Sequence, residues 1–106
     1  MNQPTVYVAQ KPDEKKNIVS ASKYGDFKFI LPEKTNLMWD TATAVSTIKK
    51  ELRYFNDRDH LLLIGDPAVI GICTAVAADY NQGRVKFLKW DNREYTYYPV
   101  EVEIWA

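Results

Sequence analysis

Three aspartates in the sequence have a spacing that could support chemistry. Asp66 and Asp91 directly follow strands that we expect to be parallel, and Asp40 precedes the first long helix. Ligands bind at the carboxyl ends of the strands in open α/β sheets, and clustered carboxylates with water can hold Mg²⁺. One interpretation is therefore a magnesium-dependent phosphoesterase. The alternative is that Asp40 and Asp66 cap helices and Asp91 begins a turn, and we favour these local roles.

Motifs for other kinds of catalysis are missing from the sequence. It contains no glycine-rich dinucleotide motif, no P-loop, no GxSxG and no CxxC, and its only histidine is His60. Cys73 lies in an apolar helix, where we expect a core residue and not a nucleophile. The polar run 57–60 precedes a central strand, and we expect it to be a solvated loop. We therefore expect no cofactor, no metal and no enzymatic activity.

Aromatic and basic residues alternate along the C-terminal strands and form a second candidate site. Rings next to cations could stack nucleotide bases and hold phosphates. Strand alternation, however, separates these residues between two faces of a sheet. We therefore rank contact with another protein above binding of single-stranded nucleic acid. The partner-binding candidates are Lys86, Trp90, Tyr95, Tyr97 and Trp105.

The stretch from His60 to Trp90 predicts a strand, a helix and a second strand. Residues 61–64 are an apolar run without alternation, which is typical of a central strand covered on both faces. Asp66 is a preferred N-cap, Pro67 suits the first helical turn, and Gly83 suits the end of a helix. A strand–helix–strand unit of this length predicts two parallel strands.

The remaining segments complete one domain, residues 1–106, of the α/β or α+β class. A four-residue connection after Trp90 predicts a C-terminal antiparallel hairpin, in whose last strand Val100, Val102 and Ile104 should face the core. Residues 18–24 are ambiguous. The result is a five-stranded mixed sheet with two main helices in the order β-β-α-β-α-β-β. We expect strands near residues 5–10, 26–31, 60–65, 84–90 and 95–105, and helices near residues 41–55 and 67–81.

The second predicted helix is apolar around most of its circumference and needs cover beyond the sheet. Gly71, Ala75 and Ala78 present little side-chain bulk, so a second copy of the chain could pack closely across a twofold axis. The alternative is that the first helix folds over this face. The sequence is therefore compatible with both a homodimer and a monomer.

Composition limits the partners and the compartment. The 14 basic residues balance 14 acidic ones, so no net field attracts nucleic acid or anionic lipid. The chain has a single cysteine, no secretory leader and no membrane-spanning run, and these features indicate a reducing cytoplasm without membrane attachment.

The run of residues 61–104 resembles the C-terminal half of small, functionally uncharacterised proteins of tailed bacteriophages, notably marine ones. The shared features are a strand followed by GDP, an IG pair in an alanine-rich helix, an N-x-G-R turn, a LKWD strand end and a YxPVE strand. The resemblance implies an accessory protein in the cytoplasm of the infected bacterium that binds a host or viral protein. It implies no catalytic residue. The positions that carry it are Gly65, Asp66, Pro67, Ile70, Gly71, Asn81, Gly83, Arg84, Leu88, Lys89, Trp90, Asp91, Tyr98 and Pro99.

Overall fold

A computed structural model describes residues 3–35, 37 and 40–105 of the chain. It shows an α+β fold in the predicted order β-β-α-β-α-β-β, with one additional short 3₁₀ helix, η1. The elements are β1 (Thr5–Gln10), η1 (Val19–Tyr24), β2 (Asp26–Leu31), α1 (Thr41–Leu52), β3 (His60–Leu62), α2 (Pro67–Tyr80), β4 (Arg84–Asp91) and β5 (Thr96–Glu103).

The five strands form one mixed sheet in the order β2-β1-β3-β4-β5. The pairs β1–β2, β1–β3 and β3–β4 are parallel, and β4–β5 is an antiparallel hairpin. The prediction that β3 is central is therefore confirmed, and so is the parallel unit of β3, α2 and β4. The two edges of the sheet are β2 and β5.

Three elements are each three residues shorter than the sequence predicted. Strand β3 ends at Leu62 because the N–H of Ile64 turns back to the carbonyl of Leu62, at 2.9 Å. Helix α1 ends at Leu52, after which the N–H of Phe55 closes a turn onto the Leu52 carbonyl. Strand β5 starts at Thr96 and not at Tyr95, whose positive φ of 51° belongs to the hairpin turn.

The two faces of the sheet are covered differently. Helices α1 and α2 lie on one face, here called the helix side, where α1 packs on β2 and α2 packs on β1 and β4. On the opposite side, the segment of residues 18–24, which was ambiguous from the sequence, contributes Ile18 and Ala21. These two side chains are buried with Val6, Val8 and Leu62. Residues 18–24 therefore supply the second cover that makes β1 and β3 buried on both faces.

Two buried polar side chains form hydrogen bonds at the two ends of the central strands. At the carboxyl end, the Gln10 amide donates to the carbonyls of Pro32 and Glu33, at 3.2 and 3.1 Å, and its oxygen accepts the N–H of Asp66 at 2.8 Å. At the amino end, the Asp59 carboxylate accepts the N–H groups of Thr5 and Asn56, at 2.9 and 3.1 Å. Each side chain joins segments that are distant in sequence.

We predict that Gln10→Ala lowers the free energy of unfolding by about 2–3 kcal/mol, because three hydrogen bonds of about 1 kcal/mol each are lost. Urea denaturation followed by circular dichroism measures this difference. Gln3→Ala is the matched control, because Gln3 is exposed and should be neutral. Equal stability of both variants would show that Gln10 does not hold the loops together.

Candidate functional site

Each of the three candidate aspartates has a local structural role. An Oδ1 atom of Asp40 accepts the N–H of Thr43 at 3.1 Å, and that of Asp66 accepts the N–H of Ala68 at 2.7 Å, so both residues cap helices. Asp91 accepts the N–H of Arg93 at 2.9 Å within the hairpin turn. Among the described residues, no group of three His, Cys, Asp or Glu side chains could hold a metal ion.

The structure separates the five partner-binding candidates on the hairpin. Trp90 and Tyr97 lie on adjacent strands and contact each other edge to face, with ring centroids 5.0 Å apart. Tyr97 is fully buried by this packing. Tyr95 and Trp105 are exposed, but they lie at opposite ends of the hairpin. Lys86 is half-buried between them, so the five residues do not form one surface.

The small residues of α2 fall on two sides of the helix. Gly71 and Ala75 are exposed, and nothing lies within 4 Å of the position that a Cβ of Gly71 would take. Ala78 is buried in the core. Helix α1 packs along α2 and provides the intramolecular cover that was the alternative to a second copy. Self-association through Gly71 and Ala75 stays a prediction.

A strip of apolar side chains on the helix side of β5 is open to solvent. Residues on this side alternate along the strand, and we call Tyr98, Val100, Val102 and Ile104 the β5 strip. Tyr98 is 38% exposed and Ile104 is 54% exposed, while the two valines are half-buried. The expectation that Ile104 faces the core is therefore wrong, because Ile104 lies one residue beyond the end of β5, whereas Val102 packs against the core on the helix side.

A cleft of about 600 Å³ adjoins this strip at the amino ends of β3 and β4. Val102 belongs to both features, and Glu101 and Glu103 line the cleft beside it. The Asp57 carboxylate accepts hydrogen bonds from Asn81, at 2.9 Å, and from Arg84, at 3.0 Å. These two hydrogen bonds lower the pKa of Asp57, so it is ionised at neutral pH.

The polar run 57–60 is only partly the solvated loop that the sequence predicted. Asp57 and Arg58 are exposed, but Asp59 and His60 are 4% and 8% exposed. His60 packs against the ring of Tyr24, at a centroid distance of 5.1 Å, and its Nδ1 has no hydrogen-bond partner in the described part of the chain. Burial and then the charge of Lys86 lower the pKa of His60, so its imidazole is neutral at pH 7.

Cys73 is completely buried in α2, as expected for a core residue. Burial raises the pKa of its thiol to about 12. A thiolate is the nucleophilic form of cysteine, so this residue is chemically inert near neutral pH.

Comparison with known proteins places the chain in a viral family. A family model described as Phage Pam3 gp32-like protein matches residues 4–104. The chain belongs to this phage family. The resemblance to small phage proteins is thereby confirmed, and the match extends it from residues 61–104 to almost the whole chain. No curated protein and no solved structure gives a significant match. In the described ranges, no helix is long and apolar enough to cross a membrane.

We predict that Asp66→Ala lowers the free energy of unfolding by about 0.5–2 kcal/mol, and that Asp66→Asn restores most of this loss, because an amide oxygen also caps a helix. Thermal melts with and without Mg²⁺ measure both effects. Under the capping role, Mg²⁺ leaves all three melting temperatures unchanged. A Mg²⁺-dependent increase in the wild type that Asp66→Asn abolishes would show instead that the carboxylate binds the metal.

Proposed function

We propose that this member of the Phage Pam3 gp32-like family is a non-enzymatic accessory protein that acts by binding another protein of the phage or its host. The observation that supports this function is the β5 strip, an apolar surface that is half-buried at its centre and exposed at Tyr98 and Ile104. Contiguous apolar patches with a polar rim are typical of protein-contact sites.

The architecture explains how a partner would complete this surface. A sheet face that is apolar has to be buried against a second layer. Helices α1 and α2 supply that layer over β2, β1 and β4, and the partner would supply it over β5. Tyr98 is the expected anchor, because tyrosine is enriched among the residues that dominate binding energy.

The residues of the strip indicate the chemistry of the partner. Glu101 and Glu103 alternate with the strip residues, so they lie on the other face of β5, opposite Lys86 and Arg84 of β4. On the helix side, Lys89 lies opposite Tyr98. The strip itself carries no acidic side chain, and we therefore infer that a mainly apolar segment of the partner contacts it.

Other functions find less support in the geometry. The candidate aspartates each accept a local backbone N–H, and the Cys73 thiol is buried, with its pKa raised to about 12. For nucleic acid, Trp90 and Tyr97 pack on each other and do not present free faces for base stacking.

We predict that the double variant Tyr98→Ser/Ile104→Ser binds its partner at least about tenfold more weakly, because truncating an aromatic anchor typically costs more than 1 kcal/mol. Affinity capture from lysate of phage-infected cells, with mass spectrometry, identifies the partner. Biolayer interferometry with that purified partner then gives the affinities.

Val19→Ser is the matched control, because Val19 is 68% exposed on η1, which lies on the opposite face of the sheet from the β5 strip. It should bind like the wild type. Equal affinity of the double variant and the wild type would rule out the β5 strip as the binding surface.

A further inference from the structure

The two edges of the sheet differ in how they resist pairing with another strand. In β5, Pro99 has no N–H to donate, and Glu101 and Glu103 add negative charge. The carbonyl of Tyr97 already accepts a hydrogen bond from the Tyr24 hydroxyl, at 3.4 Å. This edge is therefore protected against a further strand.

Edge strand β2 contains no proline, and its two charged side chains, Asp26 and Lys28, have opposite signs, so that only a strand of complementary charge can pair with it. The N–H of Asp26 donates to the carbonyl of Pro4 at 3.0 Å, so Asp26 directs its backbone groups towards β1. Because this direction alternates along a strand, Phe27 and Phe29 direct their N–H and C=O groups away from the sheet. Phe29 is 41% exposed, and Asp26 and Lys28 are exposed as well. The backbone donors and acceptors of β2 are thus accessible along this edge.

We propose that two copies of the chain pair through β2 in an antiparallel arrangement, with Phe27 opposite Phe27 of the second copy on a twofold axis. Asp26 of each copy then lies opposite Lys28 of the other, in the pair type where opposing side chains come closest. This gives two identical ion pairs on the helix side. On the opposite side, Phe29 packs over Gly25 of the second copy, a cross-strand contact between an aromatic ring and a glycine.

The charges of β2 select this register over its neighbours. Moving Phe27 opposite Phe29 of the second copy would place Lys28 opposite Lys28, which is repulsive. Moving Phe29 opposite Phe29 would place Lys28 opposite Ile30, which is buried in the core. Only the proposed register pairs opposite charges twice, and a self-complementary patch of this kind is what a twofold interface requires.

Lys28 also has contacts within its own chain, and these position it for the interface. Its Nζ lies 3.3 Å from Glu51 of α1 and 5.7 Å from the ring centre of Tyr7. These contacts keep the ammonium group on the helix side, where Asp26 of the second copy would lie. An ammonium group has three donors and can contact both carboxylates at the same time.

Pairing through β2 leaves the β5 strip free, because β2 and β5 are opposite edges of the sheet. The two sheets would join into one continuous sheet with a β5 strip near each outer end. A dimer of this form would present the same surface twice.

Two charge reversals test the interface directly. Asp26→Lys alone and Lys28→Glu alone each place like charges opposite each other, so each should self-associate at least about tenfold more weakly than the wild type. Mixed together, the two variants restore both ion pairs and should form a heterodimer of wild-type affinity. The double variant Asp26→Lys/Lys28→Glu should also dimerise. Sedimentation velocity over a micromolar concentration series measures all of these states.

Ala75→Glu serves as the control on the exposed face of α2 and should leave the dimer intact. A wild type that stays monomeric over the whole series would overturn the proposal. So would folded single variants, checked by circular dichroism, that fail to associate when mixed. Loss of the dimer in Ala75→Glu but not in the charge variants would place the interface on α2 instead.

Discussion

The side-chain amide of Gln10 is the interaction on which the arrangement of the layers depends. Strand β1 is buried on both faces, and the backbone groups of the loops at its carboxyl end need partners. The Gln10 side chain supplies them to the carbonyls of Pro32 and Glu33, which follow β2, and to the N–H of Asp66, the N-cap of α2. It therefore joins the connection after β2 to the start of α2. At the amino end, the Asp59 carboxylate joins Thr5 to the loop before β3 in the same way.

The hydrogen bonds of Gln10 and Asp59 hold the sheet and its connections in the arrangement from which we infer function. The two helices pack over β2, β1 and β4, and on the helix side of the hairpin edge Tyr98 and Ile104 stay exposed. The hairpin edge is protected by Pro99 and its glutamates, whereas β2 has open backbone groups and alternating charges. The fold thus separates the proposed partner-binding surface at one edge of the sheet from the proposed self-pairing strand at the other. A small accessory protein of a phage family could use both without any catalytic residue.

Local patterns were sufficient to predict most elements but not the contacts between them. The apolar run ending at Ile64 and the capping signal at Asp66 identified the central strand and α2, since both depend on neighbouring residues. The role of Gln10 could not be predicted, because its partners lie up to 56 residues away. Alternation also showed that Val102 and Ile104 share a face, but whether a helix covers that face depends on strand order. Similarly, the contact between Trp90 and Tyr97 depends on the register of the hairpin, which alternation along each strand does not specify.

Site-specific photocrosslinking in infected cells shows whether the β5 strip contacts another protein. A photoreactive phenylalanine derivative would replace Tyr98 in one sample and Val19 in another, since both positions are exposed but lie on different elements. We expect a discrete crosslink to one phage or host protein from position 98 and none from position 19. Identical crosslinks from the two positions, or none from position 98, would show that the strip does not bind a partner.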